Sequence, residues 1–279
     1  MQNQAASAPQ PVVSLALDSP DLALAYERTS DPQFKHGQIL VKALNIGPGE
    51  QVLDLGAGTG RLGAYVAELV GPAGQVIAID PLPLRVDIAQ AKAKPNLEAR
   101  VGRAEDLSQF ASDEFDVVYL NSVFHWIADK PRALREIFRV LKPGGRLGLN
   151  SADPHRLHQF RRHVAEIFNE QGIDAPANAT IPVDQQELQA LLSAAGFVHV
   201  ETRHHTLVDF HPDVDSLIAW SRSSSFGNSL ASLSNIQQTQ LRDVLAQRLE
   251  PFRTPDGLRL ERYLIFATAR RPAVAGASG

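Results

Sequence analysis

The segment that most limits what this chain can fold into is residues 52–60, VLDLGAGTG. A short apolar run interrupted by one acid reads as a strand, three glycines follow at alternate positions, and a helical pattern begins at Arg61. Glycine suits a place where the backbone turns sharply and a ligand must reach the main chain without a Cβ in the way. Amides at the start of a helix then face that ligand. A strand, a glycine turn and a helix in this order belong to a parallel sheet covered by helices.

The rest of residues 33–150 keeps this rhythm. Residues 34–44 carry apolar side chains at helical spacing and stop at Gly47-Pro48-Gly49. Strands are expected over 51–55, 75–79, 97–101, 115–120 and 146–150, with helices over 61–70, 83–93 and 132–141. Short loops and single helices between strands imply right-handed crossovers and a doubly wound sheet. Further on, 157–171 and 185–195 read as amphipathic helices. Residues 197–208 and 258–269 are strand-like and flank a largely helical stretch, as in an antiparallel edge pair carrying a cap. The expected organisation is one α/β domain over 21–271, with a cofactor-binding core at 33–150 and a helical cap at 212–251. Disordered tails are expected at 1–20 and 272–279.

Composition removes several function classes. The net charge is −4 without a basic stripe, which counts against nucleic acid as a substrate. No apolar run has the length of a bilayer-spanning helix, so no membrane partner is expected. There is no cysteine, which excludes thiolate nucleophiles and thiolate metal sites and fits a reducing, cytoplasmic setting.

Two nucleotide readings compete at the glycine turn. Gly58-Thr59-Gly60-Arg61-Leu62-Gly63 fits the dinucleotide pattern G-x-G-x-x-G, and Asp80 has the spacing of an acid on ribose hydroxyls. That reading is a nicotinamide-dependent oxidoreductase. Asp54 separates the two, because a carboxylate beside a pyrophosphate cradle is unfavourable, whereas a cofactor with a sulfonium and a free ammonium attracts one.

The 52–60 segment resembles motif I of the class I, seven-stranded S-adenosylmethionine-dependent methyltransferases, with Asp54 in its acidic place. Ala78-Ile79-Asp80 resembles motif II, Gly102-Arg103-Ala104-Glu105-Asp106-Leu107 motif III, and residues 115–121, FDVVYLN, motif IV. Ala133-Leu134-Arg135-Glu136 and residues 139–145, RVLKPGG, complete the series. The resemblance is closest to the branch of quinone-biosynthesis C-methyltransferases and malonyl-carrier-protein O-methyltransferases. It implies a Rossmann-like, mostly parallel seven-stranded sheet, an N-terminal lid, S-adenosyl-L-methionine as cofactor and a small-molecule acceptor. Cofactor contacts are expected from Asp54, Gly56, Gly58, Thr59, Gly60, Asp80, Pro81, Arg103, Ala104, Glu105 and Asn121. Arg103 stands where the family often has Asp or Asn, which leaves the adenine amino group to Ala104 and Glu105 backbone or to the Glu105 or Asp106 carboxylate. A binding-only or non-methylating user of the same cofactor shares these motifs.

Methyl transfer from a sulfonium needs positioning and exclusion of water before it needs a base. His125 follows motif IV at the carboxyl edge of the sheet and is the candidate base or acceptor-positioning residue, the alternative being a packing cluster of Phe124, His125 and Trp126. Tyr26 and His36, in the segment that the family folds over its cofactor, are candidates for the methionine end or the acceptor pocket. Trp126, Trp220 and Phe226 are candidates for acceptor contacts, since aromatic side chains among serines suit a flat organic molecule. His204 and His205 should point to opposite faces of a strand, and His155 and His158 should be solvated at a helix start, so no metal site is expected. The expected assembly is a monomer or homodimer.

Overall fold

A computed structural model describes residues 14–92, 94–173, 180–227, 229–231 and 233–273. Two helices, α1 (Pro20–Thr29) and α2 (Asp31–Leu44), precede an alternation of strands and helices. These are β1 (Gln51–Leu55), α3 (Arg61–Val70), β2 (Gln75–Asp80), α4 (Pro83–Gln90), β3 (Leu97–Val101), β4 (Phe115–Asn121), α5 (Lys130–Val140) and β5 (Leu141–Ala152). The later elements are α6 (Gln159–Gln171), α7 (Gln185–Ala194), β6 (Val198–His211), α8 (Val214–Ser224), α9 (Asn235–Leu249), β7 (Arg253–Thr254) and β8 (Gly257–Arg270).

The strand order is β3-β2-β1-β4-β5-β8-β6, with the two-residue β7 folded back on β8. The first five strands pair in parallel, whereas β8 runs antiparallel to both β5 and β6. The result is the mostly parallel, doubly wound seven-stranded sheet expected from the motifs, with β7 as a small addition. The strand pair late in the chain is antiparallel, and β8 lies inside it rather than at the edge. The chain leaves β1 towards β2 and later returns to its other side as β4, so the carboxyl ends of these three strands border a crevice. Ligands of open α/β sheets bind at such a switch point.

Alternation along β1 decides which side chains reach that crevice. Leu53 and Leu55 join the core under α5 and α7, while Val52 joins the core under α2 and α3. Asp54, two residues on from Val52, faces the same side as Val52 because side chains repeat every second residue. A separate apolar cluster joins α6, α8, α9 and the start of β8 through Phe160, Leu217, Trp220, Leu245 and Leu258. Side-chain caps start the later helices, with Asp184 on α7, Asp213 on α8 and a reciprocal Ser234–Gln237 box on α9.

Within residues 1–20, the described part contains a single helical turn at Leu15–Leu17 and a buried ion pair from Asp18 to Arg85. Residues 1–13 and 274–279 lie outside the described residues. No helix among the described residues is long and apolar enough to cross a membrane.

Candidate active site

The glycine turn is fastened to the neighbouring strand. The Gly56 and Ala57 amides both donate to the Ile79 carbonyl, and the Gly58 amide donates to Asp80 Oδ2 at 2.8 Å. Gly56 and Gly58 have φ of +75° and +55°, a region costly for other residues. A Cβ at Gly56 would run into Val123, and one at Gly58 would lie 2.9 Å from Tyr26 Cε1. Space as well as backbone angle therefore holds glycine here, and Tyr26 of α1 covers the turn. Gly60, also left-handed, caps α3 and packs its backbone on Ala89, away from the cavity.

Two acids converge on the turn. Asp80 ends β2, and its other oxygen accepts from the Leu82 amide at 3.0 Å; burial raises its pKa, with Arg85 and the two amides opposing. Asp54 is 2% exposed, and its Oδ2 has no hydrogen-bond partner. Burial pushes its carboxyl up to about 7, while Tyr119 pulls it down and Asp80 pushes it further up. A buried carboxylate without a cation is a costly arrangement, and a cationic ligand group would relieve it. A small hollow lined by Asp54, Thr59, Gly56, Tyr26, Gln33 and Asn121 lies beside it.

That hollow shares Tyr26, Gln33, Gly56 and Asn121 with a cavity of about 410 Å³. One end of the cavity is formed by Gly58, Asp80, Pro81, Leu82, Arg103, Ala104 and Glu105, the expected cofactor residues of motifs I to III. The other end is formed by His125, Trp126, Trp220, Phe226, Arg161 and Arg262, among others. The Trp126 and Phe226 rings there meet at a tilt, with centroids 4.8 Å apart. Asn121 is tied to the scaffold: its amide donates to the Gln33 carbonyl and its Oδ1 accepts from Asn150.

His125 sits in the helical turn Phe124–Trp126 just after β4 and is buried. Its Nδ1 accepts the Ala152 amide at 3.4 Å, which assigns the ring proton to Nε2. Burial, helped by Arg161, Lys130 and Arg262, lowers its pKa to about 3. The side chain is thus a neutral hydrogen-bond donor at neutral pH. Its one free pair of electrons already faces a backbone amide, which disfavours a role as base.

The structure does not bring every candidate to the cavity. His36 lies behind the wall, buried, with Nε2 3.1 Å from Asp209. Trp220 lines the cavity but is 4% exposed, donates to Gln33 Oε1 at 3.1 Å and lies under the Arg262 guanidinium. His155 is exposed, but His158 is not solvated as expected. It precedes α6 and turns inward, packed on Trp220 with Asp209 3.7 Å from Nε2, and burial lowers its pKa to about 3. Among the described residues no group of three or more metal-ligating side chains occurs.

Sequence reasoning missed the arginines. Arg85 of α4 is buried, pairs with Asp18, donates to the Ser223 carbonyl and stacks on both Tyr26 and Phe226. It thereby joins the N-terminal segment, the glycine turn and α8. Arg161 and Arg262 face the far end of the cavity. Nothing in their local pattern marks them, since arginine on a helix or an outer strand is an ordinary surface residue.

Residues 53–149 match the family model described as a methyltransferase domain. Over that segment the chain is a methyltransferase domain, with motifs that resemble class I. The cofactor of that class is S-adenosylmethionine, and the orphaned Asp54 oxygen, the glycine cradle and Asp80 fit it. An uncharacterized methyltransferase of Mycobacterium tuberculosis is 40% identical over 134 residues, 47% of this chain and 52% of that protein. The chain thus spans about half the length of the first such curated relatives. A trans-aconitate 2-methyltransferase of Deinococcus radiodurans is 28% identical over 210 residues, 73% of this chain and 80% of the relative. The YcgJ protein of Bacillus subtilis has a similar fold, with a TM-score of 0.58 at 21% identity over 86% of this chain and 99% of YcgJ. The methyltransferase domain match ends at residue 149, so the wall of the cavity contributed by residues 152–264 lies outside it.

Proposed function

We propose that the chain transfers a methyl group from S-adenosylmethionine to a small-molecule acceptor held between the motif I turn and the helices after β6. The observation that carries this reading is a cavity with two chemically different ends, with a small hollow beside it that shares Tyr26, Gln33, Gly56 and Asn121. Asp54 in that hollow has no cation, and the end of the cavity away from the glycine turn is walled by aromatic side chains and arginines. When bound, the cofactor supplies an activated methyl on a sulfonium, and in-line displacement then asks mainly for alignment.

In this reading Asp54 receives the cofactor's ammonium, Asp80 the ribose hydroxyls, and Ala104 and Glu105 the adenine. Tyr26 closes over the turn, Thr59 and Asn121 shape the methionine end, and Pro81 and Arg103 border the adenosine end. Trp126, Phe226 and Trp220 form the sides of the acceptor space, and His125 donates its Nε2 proton to an acceptor oxygen. Residues 33–150 act as the cofactor core, and the helices of 212–251 act as a cap inside a domain over 21–271. A small acceptor in the cytoplasm agrees with the acidic net charge, the missing cysteines and the trans-aconitate methylation for which the Deinococcus relative is named.

Calorimetry with S-adenosylmethionine and with NAD, followed by assay of S-adenosylhomocysteine against a panel of small acids and alcohols, tests the reading. Binding of S-adenosylmethionine alone and release of S-adenosylhomocysteine with at least one acceptor are expected. Binding of NAD in its place, or tight cofactor binding with no product from any acceptor, overturns it.

A further inference from the structure

The acceptor end of the cavity concentrates positive charge in a chain whose net charge is −4. Arg156, Arg161 and Arg262 line it, and the one acid that lines this end, Asp153, accepts from the His155 amide and pairs with His204. Arg161 stands out among the three. Among the described residues neither a hydrogen bond nor an ion pair reaches it, and the charge acting on it is that of Arg262. Burial, with that second arginine, lowers its pKa to about 10, so it remains protonated at neutral pH. Arg161 is half-buried, and a guanidinium with part of its hydration removed beside another cation is unfavourable without a counter-ion.

Arg262 is held for the same purpose. Its Nε donates to Asp209 Oδ2 at 2.5 Å and its plane lies over Trp220, while Nη2 is buried with no partner. Burial opposes ionisation of Asp209, yet the Arg262 charge, the nearby His158 imidazole and the His36 hydrogen bond keep its carboxyl far below the ordinary range. Asp209 therefore stays ionised and fixes one edge of Arg262. It balances Arg262, which leaves Arg161 uncompensated. His158, neutral and with no hydrogen-bond partner on either ring nitrogen, can add one further donor.

We infer that Arg161, beside the Arg262 guanidinium, forms an oxyanion subsite, so that the methyl acceptor carries a carboxylate or phosphate group. This inference rests on the reading of the cavity as an acceptor site. Two guanidiniums present several N–H donors to a planar or tetrahedral oxyanion, the geometry for which arginine is suited. The anion anchors the acceptor at the arginine end, which leaves its uncharged part against Trp126 and Phe226, between the anchor and the glycine turn.

The test uses succinate, inorganic phosphate and uncharged succinamide as probes at constant ionic strength, titrated by calorimetry into the protein with and without saturating S-adenosylhomocysteine. Wild type should bind at least one anion and bind succinamide at least tenfold more weakly. A preference for succinate assigns a carboxylate, and a preference for phosphate assigns a phosphate. Arg161→Gln should weaken the anion at least tenfold, with Arg161→Lys intermediate, while S-adenosylhomocysteine affinity stays within twofold of wild type. The thermal midpoint of ligand-free Arg161→Gln should equal or exceed that of wild type, because an unbalanced, half-buried charge has gone. Equal binding of succinate and succinamide, no anion binding by wild type, or unchanged anion affinity in a folded Arg161→Gln would overturn the subsite. Should Arg161→Gln not fold, the probe contrast in wild type and the Arg161→Lys titration decide alone. Failure of S-adenosylhomocysteine to bind, with anion binding intact, would instead overturn the cofactor reading.

Discussion

The Gly58 amide and the Asp80 carboxylate, at the ends of two adjacent strands, are joined by a 2.8 Å hydrogen bond. The Leu82 amide occupies the other carboxylate oxygen at 3.0 Å. One acid therefore holds the glycine turn to β2 and starts the approach to α4. Each oxygen of a carboxylate accepts more than one hydrogen bond, so Asp80 retains capacity for two ribose hydroxyls.

Asp80→Ala should weaken S-adenosylmethionine binding by about 2–3 kcal/mol, the usual size of hydrogen bonds to a charged group. Because the turn loses its fastening too, a modest fall in thermal midpoint should accompany this. Calorimetry beside thermal unfolding measures both, and an affinity within twofold of wild type sinks the assignment.

Asp54 makes stability and cofactor binding depend on pH in opposite directions. Its folded pKa of about 7 lies above that of an unfolded chain, so the stability it contributes is full below about pH 4 and is lost as pH rises through 7. Relative to Asp54→Asn, ligand-free wild type should lose roughly 3–4 kcal/mol between pH 4 and 8. Cofactor binding needs the ionised form, so affinity should rise through pH 7, with about one proton released at pH 6. Urea unfolding of both proteins across that range and calorimetry in two buffers provide the readings; parallel pH curves for the two proteins would count against the buried acid.

His125 should leave no mark on the pH profile between pH 5 and 8. Its pKa of about 3 lies below that window, and its Nδ1 is engaged by the Ala152 amide. With an acceptor in hand, His125→Ala should lower kcat/KM by roughly ten- to a hundredfold, below the range typical of a lost general base. An inflection near pH 6.5 that disappears in the variant would restore histidine as the base.

Trp220 belongs to the core as much as to the cavity wall. Trp220→Ala should cost roughly 3–5 kcal/mol of stability and impair cofactor and acceptor binding together. Trp220→Phe should keep most of the packing and lose mainly the bond to Gln33, about 1 kcal/mol. Unfolding free energies for both variants are the check, and an Ala variant of wild-type stability would mean that the indole is a removable lid.

The amino-acid sequence by itself determined the first half of the sheet and the glycine-turn end of the cavity. There the information is local: glycines two residues apart, acids at or near strand ends and short apolar runs specify a turn whatever the rest of the chain does. The doubly wound character of β1 to β5 followed from short crossovers, and the late strand pair was legible from its apolar content. Tertiary structure alone decided the acceptor end. Asp209 meets His36 across 173 positions and Arg262 across 53, and Arg85 meets the Ser223 carbonyl across 138. None of these partners carries a period or a motif. Trp220 read as a cap and His158 as solvated for the same reason, since burial depends on which helices pack above β8. Whether an arginine waves in solvent or waits unpaired in a cavity is a property of its neighbours in space.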